Sequence, residues 1–460
     1  MKSTFFLYIA ICFTNILFAQ NPNYKIAIDN FQTDFNSEKY DSIFKDFSTE
    51  MKSALPLENT RQFLKGLKIQ VGKILEKEFV NDENGTEAIY KTQFERAVLG
   101  IYITLDNENK IAGLHIKPYE EPKNIEGANV DALDDYLSEI AEIVFQKVNK
   151  LPNKSQLSIA ILQNGEVEFY GTIRDGEAIK RIDNKNSVFE IGSITKVFTS
   201  TVLTSLVEDK EVKLTDNINS FYPFDFKNNI KITFKSLANH TSGLASLPEN
   251  LDLTDLTNPY KSYSKTEIEK YLPVLLKLDD KPLKSYAYSN LGVGLLGYTL
   301  GVSQRTTFQN LLKQKVFDKY GMNNTYTNSQ NLEDQLVKGL DRKGHIVSNW
   351  DFDALFGAGG ILSTTEDLVK FANAQFDFTN KELELTRKQT FEINENFRIG
   401  LGWHILKSKN GNDLFWHNGG TGGYSSSMTI DLKNKRAVII LSNVENINKI
   451  IDELGLELIN

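Results

Sequence analysis

Residues 192–206 read GSITKVFTSTVLTSL, with a serine and a lysine three positions apart at the start of an apolar run. The apolar side chains Ile194, Val197, Phe198, Val202 and Leu206 recur at helical spacing, which predicts a buried helix. Residues three apart on a helix share a face, so the amine of Lys196 can lie beside the hydroxyl of Ser193. The free amides at the start of that helix would favour negative charge near the same serine.

The S-x-x-K pattern has a plainer interpretation, in which Ser193 is an N-cap and the lysine follows by chance. The same spacing occurs at Ser42/Lys45 and Ser262/Lys265, where it predicts only solvated faces. Gly192 and the apolar run distinguish the pattern at Ser193 from the other two.

A second feature is Tyr288-Ser289-Asn290, which precedes a helical run over residues 291–300. In the plainer interpretation Ser289 or Asn290 caps the helix and Tyr288 packs. In the functional interpretation the Tyr288 hydroxyl lies beside Lys196, whose positive charge would lower the pKa of the phenol and make proton transfer feasible. Asn290 would then offer its amide to a substrate carbonyl.

A third feature is the segment His417-Asn418-Gly419-Gly420-Thr421-Gly422-Gly423. Glycines stand where a chain turns through positive φ or lets a ligand approach its backbone. The segment therefore predicts a strand end that receives substrate, or otherwise a flexible hairpin tip. No two of the five histidines (His115, His240, His345, His404 and His417) have metal-ligand spacing. We therefore expect neither a metal nor a cofactor.

Taken in order, these three features resemble the serine β-lactamase and penicillin-binding superfamily. The branch they resemble contains class C β-lactamases, D-alanyl-D-alanine carboxypeptidases and related esterases, which carry S-x-x-K, then Y-x-N, then K-T-G or H-x-G. Residues 237–244 (LANHTSGL) and 357–364 (GAGGILST) look like the same family. The resemblance covers about residues 130–445.

The resemblance implies a role for each matching residue. Ser193 would be the nucleophile, Lys196 its activating neighbour and Tyr288 the proton relay. The substrate-binding residues would be Asn290, His417, Gly419 and Gly420, with the backbone amides of Ser193 and Gly420 forming an oxyanion hole. His417 replaces the lysine of K-T-G, and Asn418 replaces the threonine whose hydroxyl often binds a substrate carboxylate. These two departures leave acyl transfer intact but count against efficient β-lactam hydrolysis.

The rest of the pattern predicts an α+β fold in two domains. Strands at residues 157–162 and 167–173 flank Asn164-Gly165, a strong hairpin signal. Apolar alternation returns at residues 398–406, 414–416, 424–430 and 437–441, followed by a helix at 446–458. Strands at both ends with helices between them predict one antiparallel sheet with a helical insertion, like the β-lactamase/transpeptidase sheet flanked by helices.

The N-terminal part has a different pattern. Residues 35–54 and 62–67 predict helices, and residues 97–116 predict a hairpin around a polar turn at 106–109. This order resembles the small cone-shaped α+β domains similar to nuclear transport factors. We expect a signal peptide at 1–19, an accessory domain at 20–120, a linker at 121–131 and a serine hydrolase domain at 132–460.

The composition and the first residues restrict the class of protein and predict where it is located. The chain has 460 residues, 40% hydrophobic and 24% charged, with a net charge of -8. This excludes a disordered polymer or a multi-span membrane protein and argues against a nucleic-acid partner. Lys2 precedes an apolar run ending at Ala19, which predicts a secretory signal peptide, with a single-span anchor as the alternative. The only cysteine, Cys12, lies within it, so the mature chain would have no thiol and no transmembrane span.

The sequence therefore predicts an exported bacterial serine hydrolase, periplasmic or secreted. It would form an acyl-enzyme at Ser193 on a D-amino-acid peptide, amide or ester, such as a small molecule or a peptidoglycan-derived peptide. The alternatives are a β-lactamase, or a penicillin-binding sensor without efficient turnover. We also expect the N-terminal domain to recruit substrate or a second subunit, giving a homo-oligomer. No G-x-S-x-G elbow occurs, which disfavours an ordinary α/β-hydrolase.

Overall fold

The computed structural model describes residues 22–83, 87–119, 133, 136–255, 257–278, 282–408 and 410–459. The chain divides into two compact units, Met1–Glu126 and Gly127–Asn460. The predicted signal peptide at 1–19 and the predicted linker at 121–131 lie outside the described residues. None of the helices in the described part of the chain has the length and apolar character that crossing a membrane requires.

The N-terminal unit contains four helices followed by four strands. They are α1 (Pro22–Asn36), α2 (Tyr40–Lys45), α3 (Thr49–Ala54), α4 (Leu57–Val71), β1 (Ile74–Glu83), β2 (Glu87–Phe94), β3 (Val98–Leu105) and β4 (Ile111–Pro118). The strands form an antiparallel meander in chain order. Helix α1 buries Tyr24, Ile28, Phe31 and Phe35 at helical spacing. These side chains pack in a core shared with β2 and β3.

The helix predicted over residues 35–54 is wrong in extent, because the chain forms α2 and α3 with a break at residues 46–48. There the side chain of Ser48 accepts a hydrogen bond from the Met51 amide and caps α3. The predicted helix at 62–67 is the middle of the longer α4. The hairpin predicted at 97–116 is confirmed as β3 and β4.

The second unit contains ten helices within the described residues. They are α5 (Ser138–Val148), α6 (Thr195–Glu208), α7 (Phe234–Ala238), α8 (Lys265–Val274), α9 (Asn290–Ser303), α10 (Phe308–Leu312), α11 (Asp318–Tyr320), α12 (Thr365–Ala374), α13 (Lys381–Arg387) and α14 (Asn448–Ile459). Most of them lie between the strands, which is the predicted helical insertion.

Eleven strands accompany these helices in the described part of the unit. They are β5 (Gln156–Gln163), β6 (Glu166–Asp175), β7 (Ala178–Arg181), β8 (Phe189–Glu190), β9 (Leu362–Ser363), β10 (Phe391–Asn394), β11 (Phe397–Ile399), β12 (His404–Lys407), β13 (Asp413–Gly420), β14 (Ser425–Asp431) and β15 (Arg436–Ser442). β8 and β9 form a separate two-stranded pair.

Nine of these strands form one sheet in the order β10-β11-β12-β13-β14-β15-β5-β6-β7. β15 pairs antiparallel with β5, so strands from the two ends of the unit meet in the middle of the sheet, as predicted. Asn164 and Gly165 take φ of 52° and 91° in the hairpin between β5 and β6. The single alternating run predicted at 398–406 is two strands, β11 and β12, because the chain turns at Gly402, where φ is 73°.

The two faces of this sheet are covered by different helices. Helices α5 and α14 pack with residues of β5 and β15 in one apolar core. Helices α6 and α9 belong to a larger core that contains the opposite face. β13 lies between β12 and β14. Its C-terminal end contacts the turn before α6, where the serine of the S-x-x-K pattern lies.

Candidate active site

The turn that carries Ser193 lies directly against the end of β13. Residues Gly192–Ile194 form a single 3-10 turn that leads into α6. Gly192 takes φ of 50°, and a Cβ at this position would lie 2.6 Å from the backbone nitrogen of Gly420. A side chain at residue 192 would therefore push the turn away from the strand. The contact brings the backbone of the Ser193 turn close to that of Gly420, and a Cβ on Gly419 would lie 2.8 Å from the Ser193 nitrogen.

Lys196 is fully buried behind Ser193. Its Nζ lies 2.9 Å from Ser193 Oγ, 2.7 Å from Asn290 Oδ1 and 2.7 Å from the carbonyl oxygen of Ala358. Burial holds the pKa of Lys196 well below its usual value of 10.5, because an ammonium loses its hydration in the protein interior. The S-x-x-K spacing thus brings the two side chains together, as the sequence predicts.

Tyr288 completes the group around the serine. Its hydroxyl lies near the Ser193 side chain, which acts on the pKa of the phenol, and Lys196 Nζ lies 4.9 Å from the centroid of its ring. The prediction that Lys196 lowers the pKa of this phenol is wrong in direction. Burial raises the pKa of Tyr288 above its ordinary value of 10, and this effect exceeds the opposing effect of the nearby Ser193 side chain.

Asn290 faces the site, and its neighbour Ser289 caps the helix. The side chain of Ser289 accepts a hydrogen bond from the Gly292 amide, which leaves the Asn290 side chain free of the capping role. Asn290 Oδ1 accepts from Lys196, and Asn290 Nδ2 lies 3.3 Å from the hydroxyl of Tyr260. The amide is thus fixed between the lysine and a tyrosine that the sequence analysis did not identify.

The end of β13 forms one wall of the site. β14 pairs with β13 along residues 414–420, whereas β12 pairs with it only along 413–416. The segment from His417 to Gly420 is therefore bonded on one side only by the described strands. An exposed row of backbone amides and carbonyls can take up an extended peptide.

His417 and Asn418 point to opposite faces of the sheet, as neighbours in a strand do. His417 is buried, its Nδ1 lies 2.6 Å from the carbonyl oxygen of Asn418, and its Nε2 has no hydrogen-bond partner among the described residues. Since a carbonyl only accepts, Nδ1 carries the proton and Nε2 has a free lone pair. Asn418 donates from Nδ2 to Asp452 on α14, at 2.6 Å.

Two further histidines lie behind the tyrosine. The ring of His240 lies 4.5 Å from that of Tyr288, and its Nδ1 accepts from the Ser289 amide. The ring of His404 lies 5.0 Å from that of His417. Burial lowers the pKa of all three histidines, that of His404 to about 4. Within the described residues, no group of three or more His, Cys, Asp or Glu side chains could hold a metal ion.

The opposite flank of the serine carries side chains that the sequence did not reveal. Tyr260, Trp350 and Phe352 form an aromatic cluster with ring centroids 4.6 to 6.2 Å apart. Glu190, three residues before the serine, is buried, and burial raises its pKa to about 7. The aromatic residues come from loops and have no periodicity to reveal them. The acidic residue within the apolar run before Gly192 was a signal that could have been used.

Two family models match parts of the chain. The model of the beta-lactamase family matches residues 146–452, and a family described as a protein of unknown function (DUF3887) matches residues 29–114. Penicillin-binding protein 4* of Bacillus subtilis (strain 168) is 24% identical over 324 residues, which are 64% of this chain and 70% of the relative. The D-alanyl-D-alanine-carboxypeptidase/endopeptidase AmpH of Escherichia coli (strain K12) is 28% identical over 318 residues, 63% and 80% of the two chains.

Solved structures show the same fold. A β-lactamase/D-alanine carboxypeptidase from Pseudomonas syringae aligns with a TM-score of 0.59 at 22% identity, over 71% of this chain and 98% of that chain. An octameric penicillin-binding protein homologue from Pyrococcus abyssi aligns with a TM-score of 0.56 at 22% identity, over 66% and 73% of the two chains. With a family match over most of its length and this fold, the chain belongs to the beta-lactamase family and is a serine hydrolase.

Proposed function

We propose that this protein is an exported hydrolase that forms an acyl-enzyme at Ser193 and releases it to water. Its substrates would be D-amino-acid peptides, amides or esters, either small molecules or peptides derived from peptidoglycan. The relatives support this substrate class through their names, since one is a D-alanyl-D-alanine carboxypeptidase/endopeptidase and a structural neighbour is a β-lactamase/D-alanine carboxypeptidase. The residue pattern of the first 19 positions supports export.

The observation that carries the proposal is the set of partners around Lys196. A neutral amine has two N–H donors and one lone pair. The three partners of Nζ are two oxygens that only accept, Asn290 Oδ1 and the Ala358 carbonyl, and one hydroxyl that can donate, Ser193 Oγ. The arrangement matches a neutral amine whose lone pair faces the serine hydroxyl. The lowered pKa of Lys196 agrees with this protonation state.

In the proposed reaction, Ser193 Oγ attacks the substrate carbonyl carbon while its proton passes to Lys196. The carbonyl oxygen becomes an oxyanion held by the amides of Ser193 and Gly420. When the tetrahedral intermediate collapses, the bond to the leaving group breaks, and Tyr288 passes a proton to that group. Water then repeats the steps on the acyl-enzyme, with its proton moving to the same relay and Ser193 leaving as the alcohol.

The leaving-group side gives a reason to rank the β-lactamase alternative second. Asn418 stands where the family carries the threonine hydroxyl, and its side chain is bound to the Asp452 carboxylate. Asp452 also accepts from Ser427 Oγ at 2.7 Å. A substrate carboxylate bound here would be repelled by the Asp452 carboxylate, and the Asn418 amide already donates its hydrogen bond to Asp452. Turnover of nitrocefin at a rate above that of D-alanyl substrates would reverse the ranking.

The test of the proposal is covalent labelling. The mature protein is incubated with a fluorophosphonate and, separately, with a fluorescent penicillin, and the site of attachment is mapped by mass spectrometry. We expect the label on Ser193 and none in Ser193→Ala. Ser262→Ala is the matched control, because Ser262 begins the same S-x-x-K spacing but is exposed. Labelling that persists in Ser193→Ala would refute the assignment.

Turnover separates an enzyme from a sensor. A panel of chromogenic D-alanyl peptides, short-chain esters and β-lactams should give continuing product with at least one member. A sensor would show one equivalent of label and no further product in single-turnover kinetics.

We propose that the N-terminal unit recruits substrate or a second copy of the chain. Its support is the separate fold of residues 22–119, which lies outside the beta-lactamase match. Deletion of residues 21–120 should change the activity or the mass in solution. If activity, solubility and mass all stay the same, this role is wrong.

A further inference from the structure

The aromatic cluster of Tyr260, Trp350 and Phe352 lies on the Asn290 side of the site. Tyr260 contacts Asn290, which contacts Lys196. A Cβ built on Gly359 would lie 3.0 Å from the Phe352 ring and 3.8 Å from the carbonyl carbon of Gly192. These contacts tie two of the rings to the residues that hold the serine.

Trp350 extends the cluster to the end of β13. A Cβ built on Gly422 would lie 2.5 Å from Trp350 Nε1, and Gly422 is two residues beyond the amide of Gly420. The indole N–H has no acceptor among the described residues. The rings of Trp350 and Phe352 are only half-buried. The cluster thus presents accessible aromatic faces beside the position of the reacting carbonyl.

A fixed carboxylate borders these rings. Asp351 stands between Trp350 and Phe352 in the chain and is exposed. Its Oδ2 accepts from Asn258 Nδ2 at 2.9 Å, and its amide donates to Asn258 Oδ1 at 2.8 Å. This reciprocal pair holds Asp351 beside the loop that carries Tyr260.

Asp351 supplies the negative charge beside the cluster. The buried carboxyl of Glu190 accepts from the Trp350 amide at 3.0 Å, but burial and the charge of Asp351 raise its pKa and so favour its neutral form. Lys261, which follows Tyr260, is exposed and lies near the carboxyl of Asp255. The lowered pKa of Lys196 favours a neutral amine in the resting site.

We propose that the acyl half of the substrate carries an ammonium group, a free α-amino group on the D-aminoacyl unit, which packs against the Trp350 and Phe352 rings beside Asp351. An ammonium is attracted to the negative face of an aromatic ring, most strongly to tryptophan, and a neighbouring carboxylate adds to that attraction. An N-acylated substrate has no such charge. This inference rests on the proposed function and specifies its substrate class.

The experiment compares three p-nitroanilides, those of D-alanine, N-isopropyl-D-alanine and N-acetyl-D-alanine. The first two carry a basic amine that is protonated, and the third is neutral and similar in size and shape to the second. We expect kcat/KM for both cationic substrates to exceed that for the acetylated one by about tenfold or more, the upper part of the range for a desolvated cation–π contact. Protection of Ser193 from fluorophosphonate labelling by the same compounds gives a second readout that needs no turnover.

Two variants test the residues. Trp350→Leu and Asp351→Asn should each reduce the preference for the cationic substrates by about 3- to 10-fold. Trp350→Phe, which keeps a ring, should retain most of it. Asp377→Asn is the matched control, because Asp377 is an exposed carboxylate held by Thr379 in another loop, and the preference should not change.

The outcomes separate the inference from the function on which it rests. If Ser193 is labelled but the acetylated compound is hydrolysed or protects equally well, the inference is overturned and the proposed function stands. An unchanged preference in both Trp350→Leu and Asp351→Asn also overturns it. If Ser193 is never labelled, the proposed function fails and this inference fails with it.

Discussion

The contact between β13 and the turn that carries Ser193 predicts that one added methyl group, at Gly419, strongly lowers the rate of hydrolysis. A Cβ on Gly419 would lie 2.8 Å from the Ser193 nitrogen and 2.5 Å from Ser426 Oγ, and would collide with the carbonyl oxygen of Ile191. Ordinary van der Waals contact begins at 3.4 Å. The Ser193 nitrogen must therefore move by about 0.6 Å and Ser426 Oγ by about 0.9 Å to restore it. Gly419→Ala should therefore separate the strand from the turn.

The separation moves the amide of Gly420 away from that of Ser193. Loss of one oxyanion-hole donor costs about 2.7 to 4 kcal/mol of barrier, and a misplacement near 1 Å can cost about 100-fold in rate. We expect Gly419→Ala to lower kcat/KM for a chromogenic ester by about 100- to 1,000-fold. The rate at which a fluorophosphonate labels Ser193 should fall as well, since its phosphoryl oxygen uses the same two amides.

Gly455→Ala is the matched control. Gly455 lies in α14, and the nearest atoms to its Cβ would be 3.7 Å away, in ordinary contact. The same methyl group should leave the ester hydrolysis rate within about twofold of wild type, because at this buried position it meets its neighbours only at ordinary contact distance. Both variants are first checked for cooperative unfolding. A folded Gly419→Ala that hydrolyses ester within threefold of wild type would show that the two amides do not act together.

Further predictions concern protonation and stability. Lys196→Met should lower the rate of Ser193 labelling by about 100- to 10,000-fold. The wild-type labelling rate should rise with pH through a pKa below 10.5, and the variant should lack this pH dependence. Tyr288→Phe should hydrolyse a p-nitroanilide far more slowly while still being labelled by a fluorophosphonate, whose fluoride leaving group needs no proton. Glu190 has a folded pKa of about 7, above its usual value of 4.5. The contribution of the neutral carboxyl to stability is therefore complete below pH 4.5 and is lost as pH rises through 7. The wild type should lose about 3 kcal/mol of unfolding free energy in this way. Glu190→Gln should show no such loss when urea unfolding is measured at pH 5 and pH 8. Gly66→Ala in α4, where a Cβ meets nothing within 4 Å, should raise the free energy of unfolding by about 0.5 to 1 kcal/mol.

The sequence was most informative where a fixed spacing determines the geometry. Ser193 and Lys196 are one helical turn apart, so their contact follows from local structure. The joining of strands from both ends of the unit in one antiparallel sheet followed from the apolar alternation there. β1 was missed because register shifts at Ile74/Glu76 and Phe79/Asn81 interrupt its alternation. The break between α2 and α3 was missed because the apolar spacing continues across Ser48, whose side chain caps α3.

Properties that depend on burial were beyond the sequence. The motif places a lysine near Tyr288, and a charged lysine would lower the pKa of the phenol. The fold instead buries both groups, and desolvation acts on each in the direction of its neutral form. The aromatic cluster is assembled from loops at 258–263 and 349–359 that meet only in the folded unit. No periodicity in either loop points to the other.

The resting site is therefore uncharged, and this determines how the relay operates in the proposed reaction. Burial lowers the pKa of Lys196 and of His240, His404 and His417, and raises that of Tyr288. Among the side chains around Ser193, the first cation would form only when Lys196 accepts the proton of Ser193. That ammonium would then lie 4.9 Å from the centroid of the Tyr288 ring, where its charge favours loss of the phenol proton. The lysine would thus activate the tyrosine only after it has activated the serine, so that a proton becomes available to the leaving group when the tetrahedral intermediate has formed.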